Sequence, residues 1–436
     1  MLIKQISVSG LFGIFDHVIP LNMDERITII HSPNGFGKTV MLKLLDGFVN
    51  SRYSVFQDIP FDSFRVQFDN GNSLEILKKI NLLKGEDNKY NIIIEFHEVN
   101  SHPISFTLKN IKLHSVDIQS EKITENIIHW LNTISKEEIF SEDVKDEEDG
   151  KDEPNWIEHL KNEIHVHLIE SQRLLNVFPS NSFRLYDKKT SSLATVSAYS
   201  DELAELMQDK FTEYGKLSQS LDRTFPVRVV NKHSSTEITE EQLVAQLNQL
   251  EKVRSRLIEV GLLDKDENTE FQVKPQAIDE STKNILSVYV KDVERKLSVF
   301  GEIANKIELL RRIINKKFAY SYKKINFSKE KGFVFTTCYE PSSVSEQKTL
   351  APTDLSSGEQ HELIMLYELL FKVEPKTLVL IDEPELSLHV GWQVEFIKDL
   401  QEITKLADLD ILMATHSPDI IQDRWDLTVE LKGLEN

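Results

Sequence analysis

Several short, continuously apolar runs stop abruptly at polar residues: "RITIIHS" before residue 33, "IHVHLIESQ" before residue 173, "TLVLIDEPELSLH" from Thr377, and "DILMATHS" before residue 418. Leu378 to Ile381 is apolar without alternation, as in a strand of a parallel sheet buried on both faces. Other stretches alternate. "FRVQFDNGNSLEIL" alternates around Asn70-Gly71, and "NIIIEFHEVNSHPISFTL" turns between Asn100 and Pro103, so both predict antiparallel hairpins. "VMLKLLDGF" after the first run has helical character. From about residue 200 to 318 the pattern is helical throughout. Leu286, Val290, Val293, Leu297, Phe300, Ile303, Ile307, Leu310 and Ile314 recur by threes and fours, close to a heptad seam. Leu243, Leu247, Leu250, Val253, Leu257 and Val260 form a shorter stripe, with the turn-rich "GLLDKDENTEFQVKPQ" between the two. A helical hairpin with facing stripes is the economical reading, and two ordinary core helices fit the same spacing. Strands return at "INFSKEKGFVFTTCYE". The expectation is an α/β fold with an antiparallel β subdomain and an inserted helical, short coiled-coil arm. Lobes 1–199 and 319–436 would flank the arm, 200–318.

Composition narrows the function classes. The 436 residues, 40% of them hydrophobic, suffice for one large or two moderate cores. A net charge of -20 argues against coating nucleic acid through general electrostatics, while leaving a local basic groove open. Cys338 is the only cysteine, so disulfides within the chain and cysteine-rich zinc sites are excluded. No uncharged apolar stretch has membrane-spanning length and no signal peptide is evident, so the expectation is a soluble cytoplasmic protein with no membrane partner. The acidic run "SEDVKDEEDGKDEP" reads as a solvated loop.

The ends of the apolar runs carry the candidate chemistry. "HSPNGFGKT", His31 to Thr39, sits between a strand and a helix, the context of a phosphate-binding loop. Gly35 and Gly37 let successive N–H groups turn inward, Lys38 supplies a point charge for phosphates, and the Thr39 hydroxyl suits Mg²⁺. Ser32 stands where the usual pattern begins with glycine. Asp382 and Glu383 close the strand at 378–381, at the carboxyl edge where α/β sheets bind ligands. Asp382 would hold Mg²⁺ and Glu383 would orient or deprotonate water; a strand-ending turn explains Asp-Glu-Pro equally well. His416 could donate to a γ-phosphate, or be structural, and Gln172 could reach Mg²⁺ or water. In "TDLSSGEQHELIML", Ser356 and Glu359 have capping-box spacing. Ser356-Ser357-Gly358 is smaller than a cap requires, and smallness at a helix N-terminus suits close approach of an anion.

Taken in order, these motifs resemble the ATP-binding-cassette (ABC) ATPases of the SMC/Rad50/RecF class. "HSPNGFGKT" looks like the Walker A loop, Gln172 like the Q-loop, "LSSGEQ" like the signature motif, "LVLIDEPE" like Walker B, and His416 like the switch histidine. The resemblance implies ATP at Ser32, Asn34, Gly35, Gly37, Lys38 and Thr39. It places Mg²⁺ at Thr39, Gln172 and Asp382, and catalysis at Glu383 and His416. It also implies a homodimer or higher homo-oligomer in which Ser356, Gly358 and Gln360 complete the neighbour's site, which would account for the smallness there. The long helical insert disfavours a transporter subunit. One cysteine cannot supply a Cys-x-x-Cys hook, and His389 replaces the aspartate usual in the D-loop.

"DEPELSLH" with "ATHSPDIIQDRWDLTVEL" looks most like stand-alone bacterial ATPases. The best understood of these are subunits of two-component anti-phage systems of the Septu or PARIS kind. That resemblance implies an ATPase controlling a partner effector, a nuclease or toxin from an adjacent gene. The alternatives are a repair or recombination ATPase acting directly on DNA through Arg311, Arg312, Lys316, Lys317, Lys323 and Lys324, and an ATP-binding scaffold without turnover. The intact Lys38, Asp382 and Glu383 count against the scaffold.

Overall fold

The computed structural model describes residues 1–80, 90–108, 153–169, 191–231, 239–265, 279–337 and 349–433. Two compact units emerge, one formed by residues 1–192 with 371–436 and the other by 193–370. Gln172, Cys338 and nearly all of the acidic run lie outside the described residues.

The first unit contains two sheets. Strands β1 (Ile3–Leu11), β2 (Phe15–Pro20), β4 (Ser63–Phe68), β5 (Ser73–Ile80), β6 (Tyr90–His97) and β7 (Ile104–Leu108) form an antiparallel sheet ordered β2-β1-β4-β5-β6-β7. Alternation sets its faces: Phe64, Val66 and Phe68 are buried while Arg65 between them is exposed. The second sheet is wholly parallel, ordered β14-β3-β13-β12-β8, from β3 (Ile27–His31), β8 (Val166–Ile169), β12 (Leu378–Asp382), β13 (Asp410–Thr415) and β14 (Thr428–Glu430). Its central strands are buried almost without interruption, as the continuous apolar runs require.

Helix α1 (Lys38–Val49) joins the sheets' cores. Met41, Leu42, Leu44, Leu45 and Phe48 are at most 1% exposed. They share one cluster with Ile6, Val8 and Phe64 of the antiparallel sheet and Ile30, Leu380 and Leu412 of the parallel one. Each such side chain contributes about 1.5–3 kcal/mol on burial, so the helix is rigidly seated. Short helices α2 (Ser54–Asp58), α3 (Asn155–Glu163) and α10 (Pro418–Ile421) and the longer α9 (Val390–Ala407) complete the unit.

The second unit is the helical insert with a small sheet. It comprises α4 (Ser191–Asn231), α5 (Glu240–Glu259), α6 (Glu280–Ser298), α7 (Gly301–Phe318), the antiparallel strands β9 (Lys323–Ser328), β10 (Gly332–Thr337) and β11 (Thr349–Leu350), and α8 (Ser357–Tyr367). The seam residues Val290 to Ile314 are buried, but two helices carry them, divided at Val299-Phe300.

The two apolar stripes do not form a simple hairpin. Glu240 pairs with Lys283 at 3.7 Å, Arg256 with Glu308 at 2.5 Å and Glu259 with Arg311 at 2.8 Å, so α5 runs in the same direction as α6 and α7. The antiparallel partner is α4. Tyr214 packs on Phe300 with ring centroids 5.2 Å apart, Asp222 accepts from Lys296 at 2.7 Å, and Arg228 forks onto Asp292. Gly261, just past α5, has φ +77°, and a Cβ there would lie 2.1 Å from the Phe327 carbonyl oxygen. Only glycine permits that approach.

Arg311, Lys323 and Lys317 of the basic cluster pair with named carboxylates. Arg311 pairs with Glu259, Lys323 donates to Glu359 at 2.7 Å, and Lys317, only 3% exposed, pairs with the fully buried Glu362. Replacing Lys317 with Met should strand the Glu362 carboxylate and cost about 3–5 kcal/mol, read as a lower denaturant midpoint at unchanged slope. Among the described residues no helix is long and apolar enough to cross a membrane.

Candidate functional site

The carboxyl ends of the parallel strands come into line through their register. Thr415 pairs with His31, Ala414 with Asp382, and Ile381 with Ile169. The polar residues that terminate β3, β12 and β13 therefore gather along one edge.

After β3 the chain curls through Ser32-Pro33-Asn34-Gly35-Phe36-Gly37 into α1. Gly35 and Gly37 have φ of +88° and +86°. A Cβ on Gly37 would meet Leu11 Cδ2 at 2.5 Å, so both backbone angle and space demand glycine there. The loop is braced from β2. Burial holds the His17 imidazole below its ordinary value against its hydrogen bond to the loop, and the neutral ring donates Nε2–H to the Phe36 carbonyl at 2.9 Å. Phe36 also stacks on Phe15 at 5.1 Å.

Lys38 is 5% exposed, and its Nζ donates to the Ser32 carbonyl at 2.8 Å, the Pro33 carbonyl at 3.2 Å and His416 Nδ1 at 3.2 Å. Burial pushes its pKa down, opposed by the charges of Glu383, Asp382 and Glu385. The Ser32 hydroxyl lies 3.4 Å from the same ammonium, so the residue replacing the usual glycine faces Lys38. Thr39 Oγ1 donates to Asp382 Oδ1 at 3.0 Å. These two oxygens, on the helix and at the end of β12, make a donor set of the kind that holds Mg²⁺ together with phosphate oxygens and water.

Glu383 follows in the left-handed region, φ 43° and ψ 56°, a conformation costing a non-glycine residue about 1–3 kcal/mol. Its N–H donates to the Ala414 carbonyl at 2.9 Å, which ties it to β13. Its Oε1 lies 3.3 Å from His416 Nε2. With Lys38 donating to Nδ1, His416 carries its proton on Nε2 and directs it at Glu383. Lys38, Thr39, Asp382, Glu383 and His416 are thus brought together in one unit.

Residues the motif spacing did not single out complete this edge. Glu385 accepts from Thr415 Oγ1 at 2.8 Å and from the His416 N–H at 2.7 Å. Gln393 of α9 accepts from Ser417 Oγ at 2.6 Å. Nothing in periodicity marks Gln393, but Glu385 is a third carboxylate directly after a strand end. His389 caps α9, its Nδ1 accepting from the Gly391 N–H at 3.1 Å.

The segment "LSSGEQ" lies in the other unit. Ser356 is the N-cap of α8 with a complete capping box: its N–H donates to Glu359 Oε2 at 2.8 Å. Burial alone would raise the Glu359 pKa, but hydrogen bonds from Lys323, Ser321 and Ser356 hold it below its ordinary value. Ser356 and Ser357 are exposed and Gly358 half-buried. Gln360 is buried, and its amide donates to the Leu355 carbonyl at 2.8 Å, supporting the loop that presents Ser356.

No curated protein sequence matches this chain. Among solved structures it is similar to an SMC head domain with an extended coiled coil, from Pyrococcus furiosus and bound to the C-terminal domain of ScpA. The identity is 12%, covering 99% of this chain and 94% of that one, with a TM-score of 0.33. It is also similar to the SMC head domain from Thermotoga maritima, at 10% identity over 97% and 92% of the two chains, TM-score 0.34. Residues 1–421 match the family described as AAA ATPase domain. By that match over residues 1–421, the chain belongs to the AAA ATPase domain family and is an ATP hydrolase.

Proposed function

We propose that the protein is a dimerising ABC-type ATPase that uses ATP and Mg²⁺ to control a partner effector. The lobes 1–199 and 319–436 would do the nucleotide chemistry and the insert 200–318 would transmit it. The observation that carries this reading is the chain of contacts Lys38–His416–Glu383 beside Thr39–Asp382. Ser32, Asn34, Gly35 and Gly37 shape a loop whose N–H groups suit phosphate, and Lys38 has the charge to hold it. Thr39 and Asp382 would hold Mg²⁺, with Gln172 as a third candidate; the metal, when bound, neutralises charge on the phosphates. Glu383 orients and deprotonates the attacking water, and His416 Nε2–H, directed at Glu383 here, would turn to the transferring phosphate when nucleotide is bound.

Across a dimer, the exposed Ser356-Ser357-Gly358 turn of one copy would face the phosphate held by the other, with Gln360 bracing it. ATP would close the pair and hydrolysis reopen it. Among the described residues, no group of three or more His, Cys, Asp or Glu is placed to hold a metal. A cycle of this kind acts by changing shape, and shape needs a reader. The proposed reader is an effector protein, a nuclease or toxin encoded by an adjacent gene, in anti-phage defence.

Co-expression with the adjacent gene product tests the reading. The two should co-purify, and the ATPase alone should cleave neither DNA nor RNA in the presence of Mg-ATP. Robust cleavage by the single chain that survives Glu383→Gln would overturn effector control. Tight, salt-dependent duplex binding by the chain alone would favour direct action on DNA.

A further inference from the structure

We propose that Glu385 is a positioning residue for His416, holding the strand end that aims the imidazole at the reacting phosphate. The proposal rests on the reading of His416 given above and assigns a part to a carboxylate outside the nucleotide-binding set. Its basis is a clasp between two neighbouring strand ends. The β12–β13 ladder closes at Asp382 opposite Ala414, and the β3–β13 ladder at His31 opposite Thr415. The His416 N–H lies beyond both and is taken up by Glu385 Oε1 at 2.7 Å, while Oε2 of the same carboxylate takes the Thr415 hydroxyl at 2.8 Å. Thr415 Oγ1, having donated to Glu385, accepts from the Ser417 N–H at 3.0 Å, and Ser417 Oγ donates to Gln393 at 2.6 Å.

The backbone from Thr415 to Ser417 is therefore held on both sides, with Glu385 as the member that grips His416 itself. The ring then has two constraints of its own, Lys38 on Nδ1 and Glu383 on Nε2. Two ring contacts fix a direction only if the Cα they hang from is fixed. Glu385 supplies that anchor. Its short reach, two residues past Glu383, also couples the position of the water-orienting carboxylate to that of the histidine.

Steady-state ATP turnover by the full chain with Mg²⁺, for single and paired variants, tests this. Glu385→Ala should lower kcat about tenfold or more, with KM within twofold, because misplacement of a reacting group by an ångström or less costs rate rather than ground-state binding. Glu385→Gln keeps an oxygen acceptor for the His416 N–H and should hold kcat within about threefold of the parent. His416→Ala should be slow, and Glu385→Ala added to it should cost almost nothing further, since the two act through one ring. Should Glu385→Ala fail to fold, Glu385→Asp keeps the charge but cannot span both donors, and carries the same two expectations. Full turnover in Glu385→Ala beside a slow His416→Ala would overturn the proposal while leaving His416 in place. So would losses that multiply in the double variant. Full turnover in His416→Ala would remove the histidine's assigned role, and the proposal with it.

Discussion

Glu383→Gln should bind ATP with affinity within a few-fold of the parent and hydrolyse it about 10²–10³-fold more slowly. The substitution preserves shape: the amide fits where the carboxylate was, and the N–H bond to the Ala414 carbonyl at 2.9 Å, which holds this left-handed residue, is untouched. What disappears is the carboxylate oxygen 3.3 Å from His416 Nε2, the group that the proposed mechanism uses to take a proton from water. Lys38, Thr39 and Asp382 keep their positions, so nucleotide binding persists. Phosphate release and calorimetric ATP titration on the same preparation read the two effects separately. On the proposed reading ATP then locks a dimer, visible by light scattering. Turnover near the parent's would take the base role from Glu383.

Ser356→Arg should abolish turnover while each chain still binds nucleotide. Two effects of unequal size act at this position. Losing the side-chain cap, which accepts from the Glu359 N–H at 3.4 Å, costs about 0.5–2 kcal/mol of helix stability, seen as a modest fall in melting temperature. The larger effect is steric: an exposed serine at a helix N-terminus becomes a long side chain where, in the proposed dimer, the other copy's phosphates would sit. Nothing in Lys38, Thr39 or Asp382 changes, so calorimetry should still record a full complement of bound nucleotide. Loss of nucleotide binding by the isolated chain would show that Ser356 acts within its own subunit.

Much of the fold was legible because burial leaves a period in sequence. Alternation through Phe64, Val66 and Phe68 placed an antiparallel hairpin, and the unbroken run from Leu378 to Ile381 marked a parallel strand buried on both faces. Positive φ at Gly35 and Gly37 was readable from the glycines themselves. Chain direction was not. The stripes beginning at Leu243 and Leu286 report which residues face inward, and say nothing about whether two helices run together or opposed. The ion pairs Glu240–Lys283 and Glu259–Arg311 decide it. Nor does a heptad seam reveal the break at Val299-Phe300, since buried positions continue in phase across it. Lys317 looked like part of a basic surface cluster because charge shows in sequence and its partner, Glu362, lies 45 positions away. Glu385 is hidden for the same reason: its contacts are made across strands, to Thr415 and His416.

Mixing two inactive variants tests the composite ATP site most directly. On the proposed reading, Lys38→Ala loses the ammonium that would hold phosphate and Ser356→Arg blocks the helix start that would face it, so neither should turn over alone. In a mixed dimer one site carries both defects and the other joins a sound Lys38 to a sound Ser356. Random pairing at equal concentrations makes half the dimers mixed, each with one sound site of two, so the mixture should recover about one quarter of the parent ATPase rate. A mixture as inactive as either variant alone would contradict a site shared between two copies of the chain.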